Sequence, residues 1–386
     1  MMKTTKGITL VALVITIIIL LILAGISIQA ITQTNLFGQA QQAKEKMDNA
    51  QKEENDTLSS YADKINEYLK EETLADKVSN GEIEIGAYVN YIPDEVTSDN
   101  QQYKELISNL ATYSGNTDEE ENTTETIRQE KLKWRVLDVK DGQVRLISAM
   151  PTETEIYLEY YNGYNNEVKL IDDTCSTLYN NRILASKVQN LKIEDIQDKM
   201  KEKDYSKLNE DYGKVFTFTT KNKYYPNILL KEKDQEITIG EEIIKGTELG
   251  QSEQNEYVKQ EEINKQADIL KIKSTCWSKK MEKADFDNSK YFELFINNGN
   301  KNYDYYWLSS RFIDENNDCA EYGVYNVAPG CVMGTSFYSY SSYVNPNDDR
   351  TPSGNAFRPV ITLKSNVQID TSNPGDGTEN NAYNIK

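Results

Sequence analysis

The run from Ile8 to Ile28, ITLVALVITIIILLILAGISI, carries no charged side chain, and its only polar ones are Thr9, Thr16 and Ser27. A helix of that length, rising ~1.5 Å per residue, extends roughly 30 Å, the thickness of a bilayer's hydrocarbon core. A helix also pairs its own N–H and C=O groups, which lipid cannot do for it. Lys3 and Lys6 stand before the run, and a long acidic remainder comes after it. The positive-inside tendency then keeps a short N-terminus in the cytoplasm and exports everything downstream. A cleaved secretory signal would have an apolar region of only ~7–15 residues closed by a small-x-small site. Gln29-Ala30-Ile31 offers no such site, so residues 8–31 are expected to stay as a single-pass anchor in the cell membrane.

The rest of the chain must be read as an exported protein. With 386 residues, it has room for the anchor and one or two further domains. Its formal net charge of -19 repels phosphate backbones and anionic lipid, which argues against a nucleic-acid partner. Histidine is absent, which removes His-based triads, imidazole bases and His metal ligands. No catalytic or metal-ligating residue is assigned, and no enzymatic activity is expected. Tyrosine numbers 26 against 9 Phe and 3 Trp. Its stiff, amphipathic ring suits either exposed binding faces or the strands of a β-rich domain.

Four cysteines, Cys175, Cys276, Cys319 and Cys331, lack any CxxC spacing, so zinc and redox motifs are not supported. Disulfides are permitted outside the membrane. Cys319 and Cys331 flank a predicted turn region and form the favoured pair; Cys175 with Cys276 would follow by elimination only, and the sequence does not choose among the three pairings that four cysteines allow.

Taken in order, residues 32–80 read as a helical stalk. Leu36, Ala40, Ala43, Met47 and Ala50, then Leu58, Tyr61, Ile65 and Leu69, recur at spacings near three and four, the helical period. Gly86 to Ile92, closed by Pro93, predicts the first strand, and residues 94–130 predict a solvated insertion around Asp118-Glu119-Glu120-Glu121. Lys133 to Val139 and Gln143 to Ser148 flank Asp141-Gly142, a dipeptide suited to the positive φ angles of a tight hairpin. Two short helices are expected over 174–188 and 193–196, edge strands at 216–219 and 237–239, and an exposed helix within 251–272. The C-terminal third predicts strands at 305–312, 322–327, 331–334 and 338–343. A closing strand is expected at 357–363, with Pro359 restricting it to an edge or bulge. Residues 81–370 thus make one mixed α/β head and 371–386 a flexible tail, with a short terminal strand at 382–385.

Two stretches carry resemblances. Lys6-Gly7-Ile8-Thr9-Leu10-Val11 resembles the type IV prepilin (class III) signal. That implies a leader of residues 1–7, cleavage between Gly7 and Ile8 by a prepilin peptidase, and methylation of the new Ile8 amine. Such pilins usually carry Glu as the fifth mature residue, paired with a neighbouring subunit's amine; this chain has Ala12. An unpaired amine in a filament core is costly, so Ala12 argues against a major pilus subunit. YWLSSR at 306–311, FRPVITLKSNVQID at 357–370, CSTLY at 175–179 and LKIEDI at 191–196 resemble a family of bacterial surface proteins, typically from Gram-positive anaerobes. Its members join a prepilin-type N-terminus to a head of this pattern. The FRPV closing pattern is also similar to formylglycine-generating-enzyme and C-type-lectin-like folds.

These resemblances imply an α+β protein: an N-terminal transmembrane helix extended by a long pilin-like helix, then a mixed α/β head with C-type-lectin-like character. They also imply adhesion to an extracellular glycan or protein. The alternative is a minor pilin or pseudopilin that assembles with other pilin-like subunits and has no ligand of its own. Asn345-Pro346-Asn347-Asp348-Asp349 is similar to the Pro-centred clusters by which C-type lectins bind calcium and sugar hydroxyls, making Asn345, Asn347, Asp348 and Asp349 the candidate ligand loop. Asp314 to Asp318 is read as a solvated turn, lacking the Gly and bidentate Glu of a calcium loop. Arg311 and Arg358 are expected to be buried at strand edges against carboxylates.

Overall fold

In the computed structural model the chain divides into two compact units, Met1–Lys70 and Glu71–Lys386. The structure describes residues 57–58, 72–116, 118–219, 269–296, 305–316, 319–341 and 353–386. Of the first unit only Thr57 and Leu58 are described, both helical. The apolar run, the Gly7–Ile8 junction and nearly all of the expected stalk lie outside the described residues.

The second unit is mostly sheet. Its strands are β1 Tyr88–Asn90, β2 Trp134–Lys140, β3 Gln143–Ser148, β4 Ile156–Leu158, β5 Ala185–Asn190, β6 Val215–Thr219 and β7 Ile269–Lys273. They continue with β8 Lys279–Lys280, β9 Tyr306–Asn316, β10 Cys319–Ala328, β11 Cys331–Ser341, β12 Ser353–Phe357, β13 Pro359–Leu363 and β14 Tyr383–Asn384. The helices are α1 Leu74–Ser79, α2 Gln101–Tyr113, α3 Tyr160–Tyr179, α4 Ile193–Lys199 and α5 Lys290–Phe295. One six-stranded sheet runs β14-β1-β2-β3-β13-β5 and a second β4-β12-β9-β10-β11-β8; β6 and β7 form a separate ribbon. Both large sheets are mixed, because β14 joins β1 and β12 joins β9 in parallel while the other pairs are antiparallel.

The β2–β3 hairpin is set by its turn. Asp141 has φ 53° and Gly142 φ 74°, the left-handed conformation that lets two antiparallel strands reverse without splaying. In the second sheet a different glycine use appears. Phe312 on β9 lies across Gly323 of β10 and Gly334 of β11, where a Cβ would sit 2.5 and 2.2 Å from its ring atoms. Only glycine lets the ring lie flat on the sheet there.

Consecutive strands β12 and β13 belong to different sheets, so the seam between the sheets falls at Arg358. Asn190, fully buried at the end of β5, fastens that seam. Its Oδ1 accepts the Arg358 N–H at 2.7 Å, and its Nδ2 donates to the Trp307 carbonyl at 2.8 Å. Arg358 is also fully buried, and burial pushes its pKa down. Its guanidinium donates to the carbonyls of Leu294, Ser148 and Ala149 and lies 5.3 Å from the Tyr306 ring centroid. Each of these bonds gives a backbone acceptor a buried donor.

Helix α3 packs on β5, β9, β10 and β11 across the seam. Beneath it Trp134, Val136 and Leu146 meet Trp307, Tyr322 and Phe357 in one core. The opposite sheet faces supply Leu137, Ile147, Val360, Tyr306 and Leu308 to a second core, closed by Ile193 and Ile196 of α4 and by Trp277. Strands buried on both faces lose strict alternation, and β3 shows five consecutive buried residues. A charged network ties the first sheet to α4. Arg145 grips Asp138 with two bonds of 2.7 Å and Asp195 with one of 2.5 Å, while Lys199 Nζ lies 2.6 Å from Asp138.

The expected fold class is corrected by this architecture. The described residues form two mixed sheets with few helices, not the mixed α/β head of C-type-lectin-like character. Among them no helix is long and apolar enough to cross a membrane, and none is an N-terminal transmembrane or long pilin-like helix. The head begins at Glu71 rather than residue 81, because Leu74 and Val78 of α1 are buried in the first core. Its end is not a loose tail. Val89 and Asn90 pair with Tyr383 and Asn384, and Gln368 exchanges two backbone bonds with Lys386.

The expected insertion at 94–130 contains α2, capped by the Asn100 side chain and burying Tyr103, Leu106 and Leu110. The expected helix over 174–188 is the end of the 20-residue α3 followed by β5. Pro359 opens an interior strand instead of an edge one, at the first position, where a missing N–H is tolerated. The strand 237–239 and most of 251–272 lie outside the described residues; the end of the latter is β7, not helix.

Candidate functional site

Strand β14 is separated from β1 by most of the chain, yet their pairing builds a groove of about 360 Å³. Tyr88 and Asn90 of β1 line it with the following Tyr91, as do Trp134 of β2 and the preceding Lys133, and, near the chain's end, Glu379 to Ala382 and Asn384. The register Asn90↔Asn384 brings two carboxamides together, and Asn90 Nδ2 donates to Asn384 Oδ1 at 2.9 Å. Asn384 Nδ2 in turn donates to the Asn373 carbonyl at 2.7 Å, which fixes the amide. Lys133 and Glu379 pair at 2.7 Å, and the Arg135 guanidinium lies 5.2 Å from the Tyr88 ring centroid.

A carboxamide both donates and accepts, so it can meet either half of a vicinal hydroxyl pair. Aromatic faces beside such groups suit the apolar side of a sugar ring or a peptide. Two other grooves lack that combination. One of about 380 Å³ between α2, α3 and β5 is lined by Gln102, Glu105, Asn109 and Lys187. Another of about 520 Å³ after α2 is lined by Asp118, Glu119 and Glu121. Neither has an aromatic lining residue, and among the described residues no group of His, Cys, Asp and Glu could hold a metal ion.

Gly7, Ile8, Asn345, Asn347, Asp348 and Asp349 lie outside the described residues. The pairing of Cys319 with Cys331 is corrected: Cys319 stands opposite Ser341 and Cys331 opposite Ala328, at the two ends of the β10–β11 ladder. Nine residue steps along β10 separate those ends by roughly 30 Å, far beyond the Cα reach of a disulfide. Cys331 is free, as are the buried Cys175 and Cys276. Asp314 belongs to β9 and accepts a hydrogen bond from Ser274 Oγ at 3.1 Å, so it is not part of a turn.

Arg311 and Arg358 are buried as expected, but the named acceptors of Arg358 are carbonyls. Arg311 lies 5.4 Å from the Tyr164 ring centroid. The carboxyl in its field, Glu167, is fully buried, and neither of its oxygens has a hydrogen-bond partner. Burial raises the Glu167 pKa well above the ordinary carboxyl range, against the opposing pull of Arg311. The tyrosines are used inside as well as at the groove. Tyr91, Tyr103, Tyr306 and Tyr325 are buried with their hydroxyls donating to the carbonyls of Tyr179, Ile127, Phe295 and Thr275. A phenol thus fills core volume and satisfies a backbone acceptor at once, which Phe could not do.

The groove residues Asn90 and Asn384 were missed by sequence reasoning. The Asn-rich end was visible, but nothing local says that it returns to the first strand. The chain matches no protein-family model, no curated protein and no solved structure.

Proposed function

We propose that this chain is an exported, pilin-like surface protein acting in adhesion or ligand recognition. Residues 8–31 hold it in the bilayer, and a prepilin peptidase cuts between Gly7 and Ile8. The observation that carries the reading is the uncharged 8–28 run behind Lys3, Lys6 and Gly7, with an acidic remainder of the chain beyond it. Ala12 in place of the pairing Glu favours a minor or purely anchored role among other pilin-like subunits. The proposed mechanism is tethering and recognition without turnover, with the β1–β14 groove as contact surface and a glycan as its ligand. The Asn90 and Asn384 carboxamides, which can pair with hydroxyls, and the half-buried Tyr88 beside them support that choice.

The test is binding of the detergent-solubilised full chain to a glycan array, with calcium added and with calcium chelated. Loss of one carboxamide hydrogen bond is worth about 1–1.5 kcal/mol, so Asn90→Ala is expected to weaken binding by roughly tenfold. Full binding by Asn90→Ala would move the contact to another surface. No binding by the wild type would leave the structural reading, a filament subunit with no ligand of its own. A calcium requirement would return attention to the 345–349 loop.

A further inference from the structure

Among the described lysine–carboxyl pairs, Lys192 with Asp172 stands apart. Lys192 Nζ lies 3.7 Å from Asp172 Oδ2, and the two side chains are only 14% and 20% exposed. The other oxygen, Oδ1, accepts the Asn190 N–H at 2.8 Å and the Ser309 hydroxyl at 2.9 Å. Three elements meet at this carboxyl: α3 carries Asp172, the β5–α4 connection carries Lys192, and β9 carries Ser309. By contrast, Asp138 beside Lys199 is gripped by both arms of Arg145 and held ionised. The remaining described lysine pairs are more exposed.

An amine and a carboxyl do not condense in water because both are ionised and neither is held. Here burial raises the Asp172 pKa and favours the neutral acid, whose carbon is electrophilic. Two fixed donors on Oδ1 are aimed where negative charge develops when a nucleophile adds to that carbon. The fold supplies the proximity that free groups lack.

We infer that Lys192 and Asp172 condense into an amide, an intramolecular cross-link that fastens α3 to the connection after β5. The Lys192 ammonium releases one proton to solvent, which reaches the pair through its exposed fraction. The free amine adds to Asp172 Cγ, the Nζ–Cγ bond forms, and the Cγ–Oδ2 bond breaks. A second amine proton joins the departing hydroxyl, which leaves as water. No oxidant or second reactant is needed. The product replaces a partly buried ammonium and carboxylic acid with one neutral amide, whose oxygen keeps the bonds from Asn190 and Ser309. The inference does not depend on the surface reading above.

Peptide mapping of the reduced, alkylated full chain after trypsin tests it. The expected result is one species joining Leu170–Arg182 to Val188–Lys199, uncut at Lys192 and lighter than the two peptides together by one water. Lys192→Arg keeps the positive charge against Asp172 and is expected to release both segments as separate peptides. Full recovery of unlinked segments from the wild type would overturn the inference. So would a cross-linked species that persists in Lys192→Arg.

Discussion

Arg358→Met is expected to destabilise the head by about 4 kcal/mol, since each buried carbonyl left without a donor costs about 1–3 kcal/mol. Methionine keeps most of the side-chain volume, so the loss reports hydrogen bonding more than a cavity. Three carbonyls lose their guanidinium at once, those of Leu294, Ser148 and Ala149. Leu294 belongs to α5, Ser148 ends β3 and Ala149 is the next residue, so one side chain near the β12–β13 passage holds two separate elements. Urea unfolding of wild type and variant measures the effect. A change below about 1 kcal/mol, the size of a surface substitution, would show that the seam does not rely on this side chain.

Arg145→Met should cost about 3–5 kcal/mol at neutral pH, because it leaves buried carboxylates short of their partner. Burial alone would raise Asp138, but the hydrogen bonds and charges of Arg145 and Lys199 outweigh it and hold the carboxyl below its usual range. That direction fixes the sign of the pH dependence. A carboxyl with a lowered folded pKa contributes stability above its unfolded value, and loses it as pH falls through the folded one. The wild type therefore gives up this contribution in acid, and the gap between wild type and Arg145→Met should narrow from pH 7 to pH 3. Glu167 acts in the opposite direction, since its raised pKa favours the folded state most at low pH. Comparing the two proteins at each pH cancels that term. An equal gap at both pH values would mean that packing, not charge, sets the cost.

Elements fixed by near neighbours were legible in the sequence. Asp141-Gly142 announced the β2–β3 hairpin, the aromatic run at 305–312 announced β9, and Ile193 with Ile196 announced α4. Helix α3 was hidden because its first turns, YYNGYNNEV, are poor helix formers. Its stability is tertiary: Tyr164, Val168, Ile171, Cys175 and Leu178 recur at helical spacing and are buried. The break at Arg358 was invisible because Phe357 to Leu363 reads as one apolar strand. Only partners far away in sequence, β9 for one half and β3 and β5 for the other, divide it between sheets. The groove shares that cause. Asn90 and Asn384 are 294 residues apart, and a parallel pairing of the first and last strands leaves no local mark.

The proposed function requires that residues 8–28 leave the acidic bulk of the chain outside the cell. Protease treatment of intact cells expressing the full chain, with the released peptides identified by mass, addresses it directly. The account predicts that peptides from Glu71–Lys386 appear in the supernatant of unbroken cells while a cytoplasmic marker stays intact. Head peptides that appear only after lysis would contradict it.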